Sequence, residues 1–80
     1  MGLAQNIRHL RIKNGYSQDY IAEQLGYKSY TTIQKWESGV SEPPIKKLKE
    51  LALLLKVDMN DLANKDLTVT DFYINDTKTD

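Results

Sequence analysis

Glycine repeatedly interrupts the first half of this chain, and that feature limits what the chain can fold into. The interruptions are Gly15, Gly26 and Gly39. Between them apolar residues recur three or four positions apart, as on the buried face of a helix. We therefore predict a first helix over about residues 2–13. Ser17 is a good cap for a second helix that stops at Gly26, and Ser29 for a third helix that reaches about Ser38.

Two more helices are predicted in the second half. A fourth begins at about Pro44 or Ile45 and runs to Lys56, and its inward positions have helical spacing. These positions are Ile45, Leu48, Leu51, Ala52 and Leu55. Asp58 then offers a capping-box-like start for a short fifth helix that contains Leu62. The expected fold is all-α, a compact bundle of about five short helices in which helix 2, the turn and helix 3 form a helix-turn-helix.

The end of the chain differs from the rest in composition and charge. Residues 66–80 carry one Lys or Arg against four Asp or Glu, whereas residues 1–65 carry ten against seven, so a basic body precedes an acidic tail. Residues 67–74, LTVTDFYI, are β-branched and aromatic, which favours a short strand or an arm. We expect a helix-turn-helix domain over residues 1–65, followed by a tail over residues 66–80 that serves as a dimerisation arm or a linker.

The residue types that catalysis and metal binding require are scarce. The chain has no cysteine and one histidine, His9, so it offers neither a thiolate metal site nor a catalytic pair. Its longest apolar run is residues 51–55, far short of the roughly 20 residues that cross a membrane. We expect a cytoplasmic protein with no enzymatic activity, cofactor, metal, small-molecule ligand or membrane partner.

Helix 3 is expected to be mostly polar, which suits one kind of surface in particular. Ile33 and Trp36 are its apolar anchors, and hydroxyl, amide and ammonium groups surround them. Base edges in the major groove of duplex DNA offer hydrogen-bond donors, acceptors and thymine methyl groups. A helix that reads those edges needs polar side chains outward and a narrow apolar face inward. The pattern therefore favours DNA recognition by helix 3.

Three segments together resemble the helix-turn-helix domain of the Cro/C1-type (XRE) family of phage and bacterial repressors. They are SQDYIAEQLG, TIQKWESG and PPIKKLKELALLLKV, and the resemblance covers roughly residues 3–63. It implies a transcriptional regulator that binds duplex DNA, most often a phage-type repressor. The family usually binds as a homodimer to an inverted repeat in an operator, with helix 3 in the major groove.

The resemblance also implies roles for individual residues. Base reading is expected at Tyr30, Thr31, Gln34 and Lys35, and discrimination should depend most on Lys35. Phosphate contacts are expected at Gln18, Lys28, Ser29, Thr32, Ser38, Lys46 and Lys47. Arg11 and Glu37 match a structural ion pair that ties helix 1 to the end of helix 3.

Two departures from the family pattern bear on these roles. Six residues separate Gly26 from Ile33, where the commonest family pattern has five. The additional residue is most easily absorbed before Ser29, at Tyr27 and Lys28. If it is absorbed later in the turn, the roles of Tyr30 and Thr31 shift by one position. The loop after helix 3 contains Glu42 and no basic residue, which predicts a shallow salt dependence of DNA binding.

Apolar residues on and after helix 4 extend beyond the expected core. A homodimer surface is expected at Leu53, Leu54, Val57, Met59 and Leu62. It would set two recognition helices about one helical turn of DNA apart. The alternative is intramolecular, with the tail folded over Leu53 or Leu54. For the whole chain, the alternative function is a protein-protein interaction module on the same scaffold, such as an antirepressor or antitoxin-like partner.

Overall fold

A computed structural model describes residues 2–68 as a sequence of short helices. The helices are α1 (Leu3–Lys13), α2 (Gln18–Gln24), α3 (Thr31–Ser38), α4 (Ile45–Leu55) and α5 (Met59–Asn64). α1 packs against α3 and α5, α2 packs against α3, and α4 packs against α5. The predicted all-α bundle is confirmed, and within residues 2–68 there is no strand. None of the helices in this range is both long enough and apolar enough to cross a bilayer.

Capping side chains and left-handed backbone conformations set where the helices begin and end. The Ser17 hydroxyl accepts a hydrogen bond from the Tyr20 N–H at 2.9 Å and caps α2. Gly26 has a φ of 86°, and the next residue, Tyr27, donates its N–H to the Ala22 carbonyl at 2.8 Å, which closes α2. The Asp58 carboxylate accepts from backbone N–H groups in the first turn of α5.

α3 begins one residue later than a Ser29 cap predicts. Tyr30 is the residue before the helix, and the Ser29 hydroxyl accepts from the Thr31 N–H at 3.1 Å. In the turn before α3, the Tyr27 ring lies edge-on to the Trp36 ring at a centroid distance of 5.6 Å.

One apolar core joins all five helices and supplies most of the stability, at about 1.5–3 kcal/mol for each large side chain fully buried. Its members are Ile7, Leu10, Ile21, Ala22, Leu25, Ile33, Trp36, Leu48, Leu51, Ala52, Leu55 and Leu62. Leu62 was expected on a dimer surface, and that prediction is wrong: its side chain is 0% exposed because α5 turns it inward. Ile45 was expected inward but is 67% exposed, because it is the first residue of α4, outside the packed face.

A buried asparagine ties the chain after α5 to α1. The Asn6 side-chain amide donates to the carbonyl oxygens of Leu62 at 2.9 Å and Lys65 at 2.6 Å. Its side-chain oxygen accepts from the Leu67 N–H at 3.1 Å. Leu67 also packs against the core, so the packed structure continues past residue 65.

The segment expected as a strand or an arm is described only in part. At Leu67 and Thr68 the backbone is helical rather than extended. The rest of that segment, and the acidic residues that follow it, lie outside the described residues. The alternative in which the tail folds over Leu53 or Leu54 involves those residues and therefore lies outside the described part of the chain.

Candidate nucleic-acid interface

α3 buries one face and exposes the other. Ile33 and Trp36 hold it to the core at 0% and 3% exposure. Thr31, Gln34 and Lys35 are exposed, and their spacing of three and four residues places them on one face of the helix. Tyr30, just before the helix, is 44% exposed. The structure thus brings the four expected base-reading residues together on one surface that can donate and accept hydrogen bonds.

A nearly buried carboxylate fixes this helix to its neighbours. Arg11 Nε donates to Glu37 Oε2 at 2.6 Å, and Arg11 Nη2 donates to Glu37 Oε1 at 3.1 Å. The two side chains are 14% and 4% exposed, so water screens the pair weakly. Gln18 adds a third donor to the same carboxylate, at 3.0 Å. Glu37 therefore joins the end of α3 to both α1 and α2.

That contact also bears on the phosphate role expected for Gln18. Its side-chain nitrogen carries two N–H groups, and one of them is directed at Glu37 within the protein. The side chain is partly buried. A phosphate contact by Gln18 thus depends on the second N–H group and on an orientation already set by Glu37.

The residues expected to contact phosphate fall into two groups. Lys28, Ser29, Ser38 and Lys46 are exposed, and Thr32 is partly buried. Lys47 is held within the protein instead. Its Nζ donates to the Leu25 carbonyl at 2.6 Å and lies 3.4 Å from a Glu50 carboxylate oxygen.

Lys47 also lies over the Tyr27 ring, with Nζ 5.5 Å from the ring centroid. Together with the contact between Tyr27 and Trp36, this links α4, the turn and α3. Sequence reasoning missed Tyr27. The signal that could have found it is an aromatic residue directly after the Gly26 stop, since an apolar contact at that position often accompanies such a helix end.

Acidic side chains border the interface on the α2 side. An open cavity of about 510 Å³ lies between α2 and the start of α3, and Asp19, Tyr20 and Glu23 are among its lining residues. Within residues 2–68, no group of three or more His, Cys, Asp or Glu side chains is placed to hold a metal ion.

Comparisons with known proteins identify relatives of this chain. A family model described as Helix-turn-helix matches residues 7–62. The chain is 33% identical over 70 residues to the HTH-type transcriptional activator BcrR of Enterococcus faecalis. That match covers 88% of this chain and 34% of BcrR, so the chain spans about a third of the length of that relative.

Solved structures share the arrangement of helices. The DNA-binding domain of SinR from Bacillus subtilis matches with a TM-score of 0.69 at 26% identity, over 79% of this chain and 93% of that domain. SinR, the master regulator for biofilm formation, in complex with DNA, matches with a TM-score of 0.67 at 26% identity, over 75% and 95% of the two chains. The restriction-modification controller C.AhdI from Aeromonas hydrophila matches with a TM-score of 0.67 at 25% identity, over 75% and 89%.

Proposed function

We propose, since this chain belongs to the helix-turn-helix family of transcriptional regulators, that it binds a specific operator in duplex DNA with α3 in the major groove. The observation that carries the proposal is the outward face of α3. Thr31, Gln34 and Lys35 are exposed there, while Ile33 and Trp36 fix the helix from behind. SinR, which shares this fold, has been solved in complex with DNA, and that structure supports DNA binding by this chain.

Each base-reading side chain offers a different chemistry to the groove. The Lys35 ammonium donates to guanine N7 and O6, the most discriminating of the proposed contacts. The Gln34 amide both donates and accepts, which matches adenine N6 and N7. Thr31 and Tyr30 add hydroxyl groups, and a methyl or ring surface suited to thymine.

Phosphate contacts then fix the orientation of the domain. We assign them to the exposed Lys28, in the turn before α3, and the exposed Lys46, in the first turn of α4. The exposed Ser29 and Ser38, the partly buried Thr32 and the second N–H of Gln18 support them. We assign Lys47 a structural role, because its ammonium already binds Leu25 and Glu50. With Glu42 in the loop after α3, few cations reach the backbone, so binding should weaken with salt less steeply than for a strongly basic domain.

The regulatory outcome we propose is repression of the phage type. A domain of this size that occupies a promoter operator excludes the polymerase or a competing regulator. BcrR is named as an activator, so the sign of regulation is the point that a reporter experiment must decide. With the operator placed across a promoter, repression lowers reporter output when the protein is expressed, and activation raises it.

We also propose a homodimer. Leu53 is 80% exposed, and it lines a groove of about 300 Å³ together with Val57, Met59, Lys49 and Asp58. In a twofold contact, Lys49 of each copy can face Asp58 of the other on either side of the two Leu53 side chains. Leu54 is partly buried against the core and contributes less. The packed domain, which extends to Leu67, would then be followed by a tail that serves as an arm or a linker.

A lysine substitution tests base reading with a matched control. Lys35→Gln should lower the preference for the operator over unrelated duplex by about 5- to 150-fold, which corresponds to 1–3 kcal/mol for one base contact. Lys56→Gln removes the same charge from an exposed site at the far end of α4 and should leave that preference unchanged. Equal losses in both variants would mean that charge alone matters, and an unchanged preference in Lys35→Gln would show that Lys35 does not read a base. A wild-type protein without any preference among duplexes would favour a protein-protein interaction module.

A further inference from the structure

The hydroxyl groups of Ser29 and Thr31 meet at the start of α3. Their oxygens lie 2.6 Å apart, and the Thr31 N–H donates to Ser29 Oγ at 3.1 Å. Both residues are exposed, on the surface proposed to face DNA. The pair of contacts restricts the Thr31 side chain, because a rotamer that turned Oγ1 away would break the bond to Ser29.

Counting protons limits what this pair offers to a ligand. Two hydroxyl oxygens at 2.6 Å share one proton between them. If Ser29 donates to Thr31, the Thr31 proton remains available, and if Thr31 donates, the Ser29 proton remains available. In both arrangements the pair presents one donor, where two separate hydroxyls would present two.

We infer that Ser29 and Thr31 act as one recognition unit, in which Ser29 positions Thr31 and the pair donates a single hydrogen bond to one base-edge acceptor. Guanine N7 and O6, adenine N7 and thymine O4 are acceptors of that kind in the major groove. This inference rests on the proposed function, since it requires α3 in the groove. It changes the role of Ser29 from a phosphate contact to a positioning residue, and it makes the contribution of Thr31 depend on Ser29.

A double-mutant cycle on the full chain tests the dependence. The variants are Ser29→Ala, Thr31→Val and the double mutant, each titrated with the preferred duplex and with duplexes changed at single base pairs. Either single substitution should lower discrimination at the same base pair by about three- to tenfold, the range expected for one hydrogen bond. The double mutant should lose no more than Thr31→Val alone, because Ser29 acts only by positioning the Thr31 hydroxyl.

Two further variants separate positioning from general effects. Ser29→Thr keeps the hydroxyl and should retain discrimination at that base pair. Ser41→Ala removes another exposed hydroxyl, in the loop after α3, to which no DNA contact is assigned, and should leave base preferences unchanged. Thermal unfolding of every variant shows whether a loss comes from the fold.

The outcomes distinguish this inference from the function on which it rests. A wild-type protein without any sequence preference would contradict the proposed function itself. A wild-type preference that survives Ser29→Ala would overturn only the inference. Additive losses in the double mutant, or losses at two different base pairs, would also overturn it, because they would show two independent hydroxyls.

Discussion

Glu37 Oε2 lies 2.6 Å from Arg11 Nε, and this contact ties the end of the recognition helix to the first helix. Removing one partner of such a buried pair leaves the charge of the other partner buried and unpaired. Glu37→Gln should therefore destabilise the fold by about 3–5 kcal/mol, measured by urea unfolding. Replacing both residues with apolar ones, Arg11→Met with Glu37→Leu, should recover much of that loss. If Glu37→Gln lowers the free energy of unfolding by less than about 1 kcal/mol, the pair contributes no more than a surface ion pair does.

Asn6 should be required for stability although no part of it faces the proposed DNA surface. Asn6→Leu leaves the Leu62 and Lys65 carbonyls and the Leu67 N–H without their partner. We expect a loss of about 2–3 kcal/mol in unfolding free energy. Asn60→Ala removes an exposed asparagine and should cost less than about 0.5 kcal/mol. Similar losses for both variants would contradict the role given to Asn6.

Lys56 offers a stabilising substitution. It ends α4 with a φ of 64°, a left-handed conformation that costs a residue with a side chain about 1 kcal/mol relative to glycine. Lys56→Gly should therefore raise the unfolding free energy by up to about 1 kcal/mol. Lys65→Gly, where φ is −100°, should lower it slightly. A lower unfolding free energy in Lys56→Gly would show that the Lys56 side chain stabilises the fold by more than its left-handed backbone conformation costs.

Leu53 should control self-association. Leu53→Asp places a charge at the centre of the proposed twofold contact and should shift sedimentation from dimer to monomer without lowering thermal stability. Ile12→Asp changes another exposed apolar residue, on α1, and should leave the dimer intact. A wild-type protein that sediments as a monomer, both alone and on DNA, would contradict the proposed homodimer.

The sequence predicts local features well and tertiary ones poorly. Ser17, Asp58 and the glycine stops act through neighbouring residues, so the helix ends could be predicted, as could the buried Ile33 and Trp36 that orient α3. The exposure of Lys35 follows from the same helical spacing.

The sequence could not predict the role of a residue whose contacts lie in a distant part of the chain. Leu62 has the apolar character of an interface residue, and only the packing direction of α5 shows that it is core. The helical pattern of α4 places Lys47 among the solvent-facing residues. In the structure, its ammonium group donates a hydrogen bond to the Leu25 carbonyl at the end of another helix. Asn6 finds partners 56 and 59 residues away, which no local pattern reveals.

Sequence-specific reading of the major groove by α3 can be tested by selection of bound duplexes from a random DNA pool at physiological salt, followed by sequencing. We expect enrichment of an inverted repeat whose half-sites lie about one helical turn apart, roughly 34 Å, with a guanine in each half-site that loses its enrichment in Lys35→Gln. A selected pool without any enriched sequence would show that α3 does not read DNA sequence.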